Sequence, residues 1–226
     1  MDTAMMAAQR PRADHDRVRP ESGHIHLVDD DEWVRTAVAR LLRARGFEVI
    51  THAGAESFLD AYDPDAAGCI VLDVSMPGLD GPGLQQRLAE RGDAMPIIFL
   101  TGSDEVPVCA AAMRNGAVDF LTKPVDEEEL VRAVTMALEH DAVRRLARMH
   151  TVKTESRLGS LTPREREVLE HVMNGRLNKQ IASDLGTAEK TVKVHRARAM
   201  EKMHVRSVAE LVRMVERAFP GIGWLG

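Results

Sequence analysis

Cys69-Ile70-Val71-Leu72-Asp73-Val74-Ser75-Met76-Pro77-Gly78-Leu79-Asp80-Gly81 is the stretch on which the fold turns. Four consecutive apolar residues, 69–72, bounded by turn chemistry, read as a short strand buried on both faces, the kind that builds parallel sheets. Pro77-Gly78 and Asp80-Gly81 close the run, and Asp80 reads as turn chemistry before its glycine rather than as a ligand. Asp73 is different. A carboxylate at the carboxyl end of a buried parallel strand stands at the edge where open α/β sheets bind ligands.

Four further apolar runs, 25–28, 49–50, 97–100 and 118–121, flank this one, and stretches of helical periodicity lie between them. Val34, Val38, Leu41 and Leu42 form one helical stripe that stops at Gly46; Leu130, Val134, Ala137 and Leu138 form another. Strands alternating with helices predict an α/β domain with a flavodoxin-like, doubly wound, five-stranded parallel sheet. Its polar residues break the runs at one edge: Asp29 and Asp30 after the first strand, Asp73 after the third, Thr101 after the fourth and Lys123 after the fifth. Three carboxylates gathered there repel one another and need a cation or a proton. A hard divalent ion with oxygen ligands, Mg²⁺ or Mn²⁺, fits. With the Lys123 ammonium and the Thr101 hydroxyl beside it, such a cluster would receive a phosphoryl group. Asp31 reads as a helix-start residue, His24 and His26 as structural, and Cys69 and Cys109 as ordinary thiols.

The words Val28-Asp29-Asp30-Asp31, Leu72-Asp73 through Gly81, Leu100-Thr101-Gly102 and Phe120-Leu121-Thr122-Lys123-Pro124, in that order, resemble the receiver domain of two-component response regulators. The resemblance covers residues 23–140. It implies that Asp73 is the phosphoacceptor for a sensor histidine kinase. Asp30 would bind the metal directly and Asp29 through water, with Asp73 and the Ser75 carbonyl as further ligands. Lys123 would contact the phosphoryl group, and Lys123-Pro124 would be cis. Thr101 and Phe120 would form the switch, the hydroxyl swinging to the phosphate and the ring turning into the space it leaves. The face around 104–121 would change shape and dimerise.

Beyond Leu138 the helical stripe continues through Ala142, Leu146 and Met149. Both a long linker helix, with coiled-coil pairing, and a helix end that frays near Lys153 fit residues 141–158. From 160 to 219 there is no strand signal. Thr162-Pro163-Arg164-Glu165 is a capping box with proline at the first helical position, and Val168, Leu169, Val172 and Met173 follow before Gly175. Asn178 is placed to cap a short helix holding Ile181, Ala182 and Leu185. Gly186 closes that helix, and Thr187 is placed to cap the next. Ser207-Val208-Ala209-Glu210 is a second capping box, and Val208, Leu211, Val212 and Val215 give the last helix a wide apolar stripe.

Asn178-Lys179-Gln180-Ile181-Ala182-Ser183-Asp184-Leu185-Gly186, followed by Lys190-Thr191-Val192-Lys193-Val194-His195, resembles the LuxR-type helix-turn-helix. Residues 159–220 are thus expected to form a small all-α DNA-binding domain, and the whole chain is similar to the FixJ-type regulators. A helix with a basic N-terminal half suits the major groove. The resemblance places Lys193, Val194 and Ala197 toward base edges. Lys179, Thr191 and Arg196 would hold phosphates. His195 fits either a phosphate contact or a helix-surface role, and Arg206 would be a further backbone contact. Double-stranded promoter DNA, a homodimer formed on phosphorylation and RNA polymerase are the partners it allows, and in this family the last helix pairs two output domains.

Composition agrees once the chain is cut. The net charge of -5 conceals 14 Lys+Arg against 9 Asp+Glu in 151–226, a balance of +5, and 16 against 26 in 1–150, a balance of -10. The 226 residues, 44% hydrophobic and 29% charged, are globular in composition and long enough for two domains. No apolar run approaches a bilayer span, and two cysteines fit a reducing cytoplasm. Residues 1–22, polar and with Pro11 and Pro20, read as a disordered tail without the apolar core of a secretory signal. The chain therefore reads as a regulator, not an enzyme. A Mg-dependent phosphatase using an aspartyl nucleophile is the rival from another class. Such enzymes carry a second acid two residues after the nucleophile, where Ser75 stands here. A constitutive DNA binder is the other rival, and the complete set of Asp29, Asp30, Asp73, Thr101 and Lys123 argues against it.

Overall fold

The computed structural model describes residues 23–92, 95–102 and 106–221, with side chains except at 106–109. The expected tail at 1–22 and the Cys109 thiol lie outside what is described. The chain divides into two compact units, Met1–Glu139 and His140–Gly226.

The first unit alternates strands and helices: β1 (His24–Val28), α1 (Glu32–Ala44), β2 (Val49–His52), α2 (Ala55–Ala61), β3 (Gly68–Asp73), α3 (Gly81–Glu90), β4 (Ile97–Thr101), α4 (Val106–Arg114) and β5 (Asp119–Thr122), with the start of α5 (Glu127–Gly159). All four strand pairings are parallel, in the order β2-β1-β3-β4-β5. Alternate residues of one strand feed opposite faces, as the pleat requires. Ile25, Leu27, Cys69, Val71, Ile98 and Leu100 pack with α1 and α5, whereas Ile70, Leu72, Ile97 and Phe99 pack with Phe58, Leu84 and Leu88. That double burial is why the strands read as unbroken apolar runs. β2 is longer than the two apolar residues predict, because Thr51 and His52 pair with Leu27 and Val28.

Local chemistry starts the helices as expected in some places and differently in others. Asp31 caps α1, accepting from the Trp33 and Val34 amides, and Asp80 caps α3, accepting from the Gly83 amide. The segment 141–158 is helical throughout, since α5 runs unbroken from Glu127 to Gly159. Leu146 and Met149 are exposed on it, while Leu158 is buried in the second unit's core.

The second unit adds α6 (Pro163–Met173), α7 (Asn178–Asp184), α8 (Glu189–Lys202) and α9 (Val208–Ala218). The Thr162/Glu165 capping box is complete, and such a cap contributes about 1 kcal/mol. Two expected caps are displaced by one residue. Leu177, not Asn178, stands at the cap of α7, its amide donating to Gln180 Oε1; Asn178 is instead the first helical residue and its Oδ1 accepts from Arg196. Ala188, not Thr187, precedes α8, and the Thr187 amide closes α7 against the Ala182 carbonyl. Ser207 caps α9 through the Glu210 amide, but Glu210 reaches back to the Arg206 amide, one residue further than a capping box requires.

Candidate functional site

The strand register sets the acidic site. Val28 pairs with Leu72, so Asp29 and Asp73 emerge side by side; Asp73 pairs with Leu100 and Thr101 with Thr122, so Thr101 and Lys123 emerge next along the same edge. Asp29 is fully buried, Asp73 and Thr101 are buried, Lys123 is half-buried, and Asp30 and Ser75 are exposed. The Lys123 ammonium bridges the pair, donating to Asp29 Oδ2 at 2.9 Å and to Asp73 Oδ1 at 2.8 Å. The Asp31 amide donates to the other Asp29 oxygen at 2.9 Å. Carboxylate oxygens of Asp29, Asp30 and Asp73 all lie within 4.8 Å of one another. The Lys123-Pro124 bond is cis. Thr101 Oγ1 donates to the Gly102 carbonyl at 3.0 Å, and the Phe120 ring is turned outward, 40% exposed.

One ammonium is thus shared between two of three clustered acids, and the electrostatics reflect the surplus charge. Burial pushes the Asp73 carboxyl above its ordinary range; hydrogen bonding and charge from Lys123 pull it back, while Asp29 and Asp30 push it up again. For Lys123 burial opposes the charge, but the hydrogen bonds and negative charges of Asp73 and Asp29 outweigh it and hold the ammonium above its usual value. The site has an excess of negative charge and hard oxygen donors, the donor set that suits Mg²⁺.

Two residues of this region have roles that periodicity and motif do not reveal. Arg35 on α1 donates from Nη1 to the Asp29 carbonyl at 2.6 Å. Gly81 opens α3 so close to β3 that a Cβ there would run into the Asp73 carbonyl oxygen and stand 3.0 Å from Phe99 Cε1. The turn word predicts a glycine at 81 as punctuation; the close approach shows that it also makes room for the strand that carries Asp73.

In the second unit α7 and α8 meet at a turn through Gly186 at φ 59°, a left-handed value that suits glycine. Arg164 of α6 donates to the Leu185 carbonyl at that turn. Val192 and Ala199 anchor α8 in the core. Lys179, Thr191, Lys193, Val194 and Ala197 are exposed, and His195 and Arg196 are half-buried. His195 Nδ1 is buried and has no hydrogen-bond partner in the structure. Arg196 Nη1 donates to Asn178 Oδ1 at 3.0 Å, tying α8 to α7, so this guanidinium braces the two helices as well as facing outward. Lys193, Arg196, Asn178, Arg206 and Ser207 line an open cleft of about 300 Å³. Among the described residues no helix is long and apolar enough to cross a membrane.

Comparisons with known proteins match this division. Residues 25–135 match the response regulator receiver domain, and residues 159–215 match the bacterial regulatory proteins of the luxR family. The chain is similar to the transcriptional regulatory protein FixJ of Azorhizobium caulinodans, 45% identical over 86% of this chain and 92% of the relative. It is also similar to nodulation protein W of Bradyrhizobium diazoefficiens, 43% identical over 85% of each. Among solved structures, that of the response regulator StyR is 44% identical, with a TM-score of 0.80 over 87% of this chain and 99% of that one.

Proposed function

Because the chain belongs to the FixJ/LuxR-type response regulators, the DNA-binding regulators of two-component systems, we propose that it is switched by phosphorylation of Asp73. The observation that carries this is the Lys123 ammonium held between the Asp29 and Asp73 carboxylates, with a third carboxylate within 4.8 Å. We assign the receiver to 23–140, the connecting helix to 141–158 and the output domain to 159–220.

In the reaction an Asp73 oxygen attacks the phosphorus of a phosphohistidine on a sensor kinase. The P–N bond breaks as the P–O bond forms, leaving an acyl phosphate on Asp73 and the nitrogen's electron pair on the imidazole. Lys123 neutralises a transferring oxygen, so the chain contributes positioning and charge more than covalent assistance. Asp30, Asp29, Asp73 and the Ser75 carbonyl would hold Mg²⁺ or Mn²⁺, which would neutralise negative charge on the phosphoryl oxygens. The Asp73 carboxylate charge is then replaced by up to about two negative charges. Thr101, now bonded to the Gly102 carbonyl, turns its hydroxyl to the new oxygens, and the exposed Phe120 ring moves inward. The altered face favours a homodimer, and two output domains bind a two-part promoter site. Lys193, Val194 and Ala197 face base edges; Lys179, Thr191, Arg196 and His195 face the backbone.

The test is Asp73→Asn. Incubated with labelled acetyl phosphate and Mg²⁺, the native chain is expected to take up label, dimerise and bind promoter DNA at least tenfold more tightly. The variant should do none of these while keeping its fold by circular dichroism. Label on the variant, or native DNA binding indifferent to the phosphodonor, would overturn the switch, the second result favouring a constitutive binder.

A further inference from the structure

Glu189 is the first residue of α8, and its carboxylate stands 3.1 Å from the Lys193 ammonium one turn on. Both side chains are exposed, 47% and 63%. The pair therefore lies in high dielectric, is screened by salt and opens at little cost. It supports no core contact, because Val192 and Ala199 are the α8 residues buried beneath. A carboxylate at this end of a helix destined for the major groove is otherwise a liability. It repels phosphates, and it repels every base-edge acceptor it meets.

We infer that Glu189 is a specificity-determining residue that accepts a hydrogen bond from cytosine N4 while Lys193 donates to the guanine of the same base pair. The inference rests on the reading of α8 as the helix that enters the major groove. The chemistry is one of matched edges. Guanine shows N7 and O6 acceptors and its partner cytosine shows the N4 amine. O6 and N4 are bonded to each other at roughly 2.9 Å, close to the 3.1 Å that separates the Lys193 and Glu189 atoms. A lysine alone takes any acceptor on any base. With a carboxylate beside it, the pair demands an acceptor and a donor side by side. An A·T pair also offers both, but its two acceptors, adenine N7 and thymine O4, flank the N6 donor on opposite sides so that one ammonium reaches only one of them, whereas guanine N7 and O6 lie together beside the cytosine donor. The combined demand favours G·C.

A plainer role would also keep Glu189: a carboxylate in the first helical turn suits the helix dipole, and its spacing to Lys193 suits a helix-surface pair. That role predicts effects spread evenly over all DNA sequences. The two are separated by selecting bound duplexes from a random pool with the full-length chain treated with acetyl phosphate, native and E189Q in parallel. The native chain is expected to enrich one G·C position per half-site by about 5- to 150-fold, the range for one good base contact. E189Q should move that position toward A·T, since glutamine pairs with adenine N6 and N7, and E189A should leave it degenerate. Identical base preferences for native and E189Q overturn the inference while leaving DNA recognition standing, even if overall affinity rises with the lost negative charge. A native chain that enriches no sequence overturns the reading of α8 itself, and this inference with it.

Discussion

His26 on β1 and His52 on β2 face each other inside the receiver, Nδ1 to Nε2 at 3.1 Å, with the Phe58 ring edge-on to both. Burial, then the charges of His52 and His24, lowers His26 to about 4. Burial lowers His52 as well, against a hydrogen bond to the Ser57 carbonyl that raises it. Both are therefore neutral in the folded chain at pH 7, and the unfolded chain binds more protons wherever pH lies between the folded values and 6.5. Stability rises with pH where the unfolded state is the more protonated. The receiver should thus lose stability as pH falls from about 6.5 toward 4, on the order of 2 kcal/mol after discounting for solvent. Urea midpoints measured at steps between pH 7.5 and 4.5 check this. The double replacement His26→Leu, His52→Leu removes both titrating groups and should flatten the profile. Other groups do not confuse the comparison. Glu165, held near 2 by Lys202 and the Thr162 amide, loses its contribution only as pH falls below 4.5, and the raised Asp73, of opposite sign, is present in both proteins. An unchanged slope in the double variant would remove the histidine pair as the cause.

At the scale of elements, what was legible depended on whether burial followed a period. The central strands β1, β3 and β4 could be read because both their faces are buried, whereas β2 and β5 at the sheet edges leave Ile50 and Phe120 exposed and gave shorter signals. The acidic edge could be read because the runs of β1, β3, β4 and β5 give way to polar residues at the carboxyl side. Caps were less legible. Leu177 and Ala188 lack a side-chain acceptor, so no residue type marked them, and the better capping side chain beside Leu177, Asn178, is spent on Arg196. The far end of α5 was open for a similar reason. Its burial near 151–158 is carried by polar residues: Thr154 is buried with its hydroxyl on the His150 carbonyl, Thr151 donates to the Ala218 carbonyl and Arg157 to the Met203 carbonyl. Only Leu158 shows as an apolar member of the core. These last turns behave as part of the output unit. A fragment spanning 140–226 should be more stable to urea than one spanning 160–226 by about 2–4 kcal/mol, the sum of a buried leucine and its neighbouring hydrogen bonds. Equal midpoints would return the segment to the status of a tether.

For the whole molecule the charge split constrains how phosphorylation acts on DNA binding. The chain carries -5 overall, as -10 in residues 1–150 and +5 in 151–226. An acyl phosphate on Asp73 makes the acidic part more negative, so long-range electrostatics alone would weaken attraction to DNA. Screening confines even that effect to about 8 Å at physiological salt. Under the proposed switch, stimulated binding would therefore come from the number of basic surfaces brought to the duplex rather than from the charge of each. Salt dependence measures that number, because log K falls with log salt by about 0.9 for each phosphate neutralised. If phosphorylation works by pairing two chains, the phosphorylated protein should show a slope on a duplex with two half-sites about twice its slope on a duplex with one. Arg206→Ala, which removes an exposed cation at the α8–α9 cleft, should lower the first slope by about 1.8 and the second by about 0.9. Equal slopes on the two duplexes, with affinity still raised by acetyl phosphate, would mean that phosphorylation frees the basic helix within one chain instead of recruiting a second.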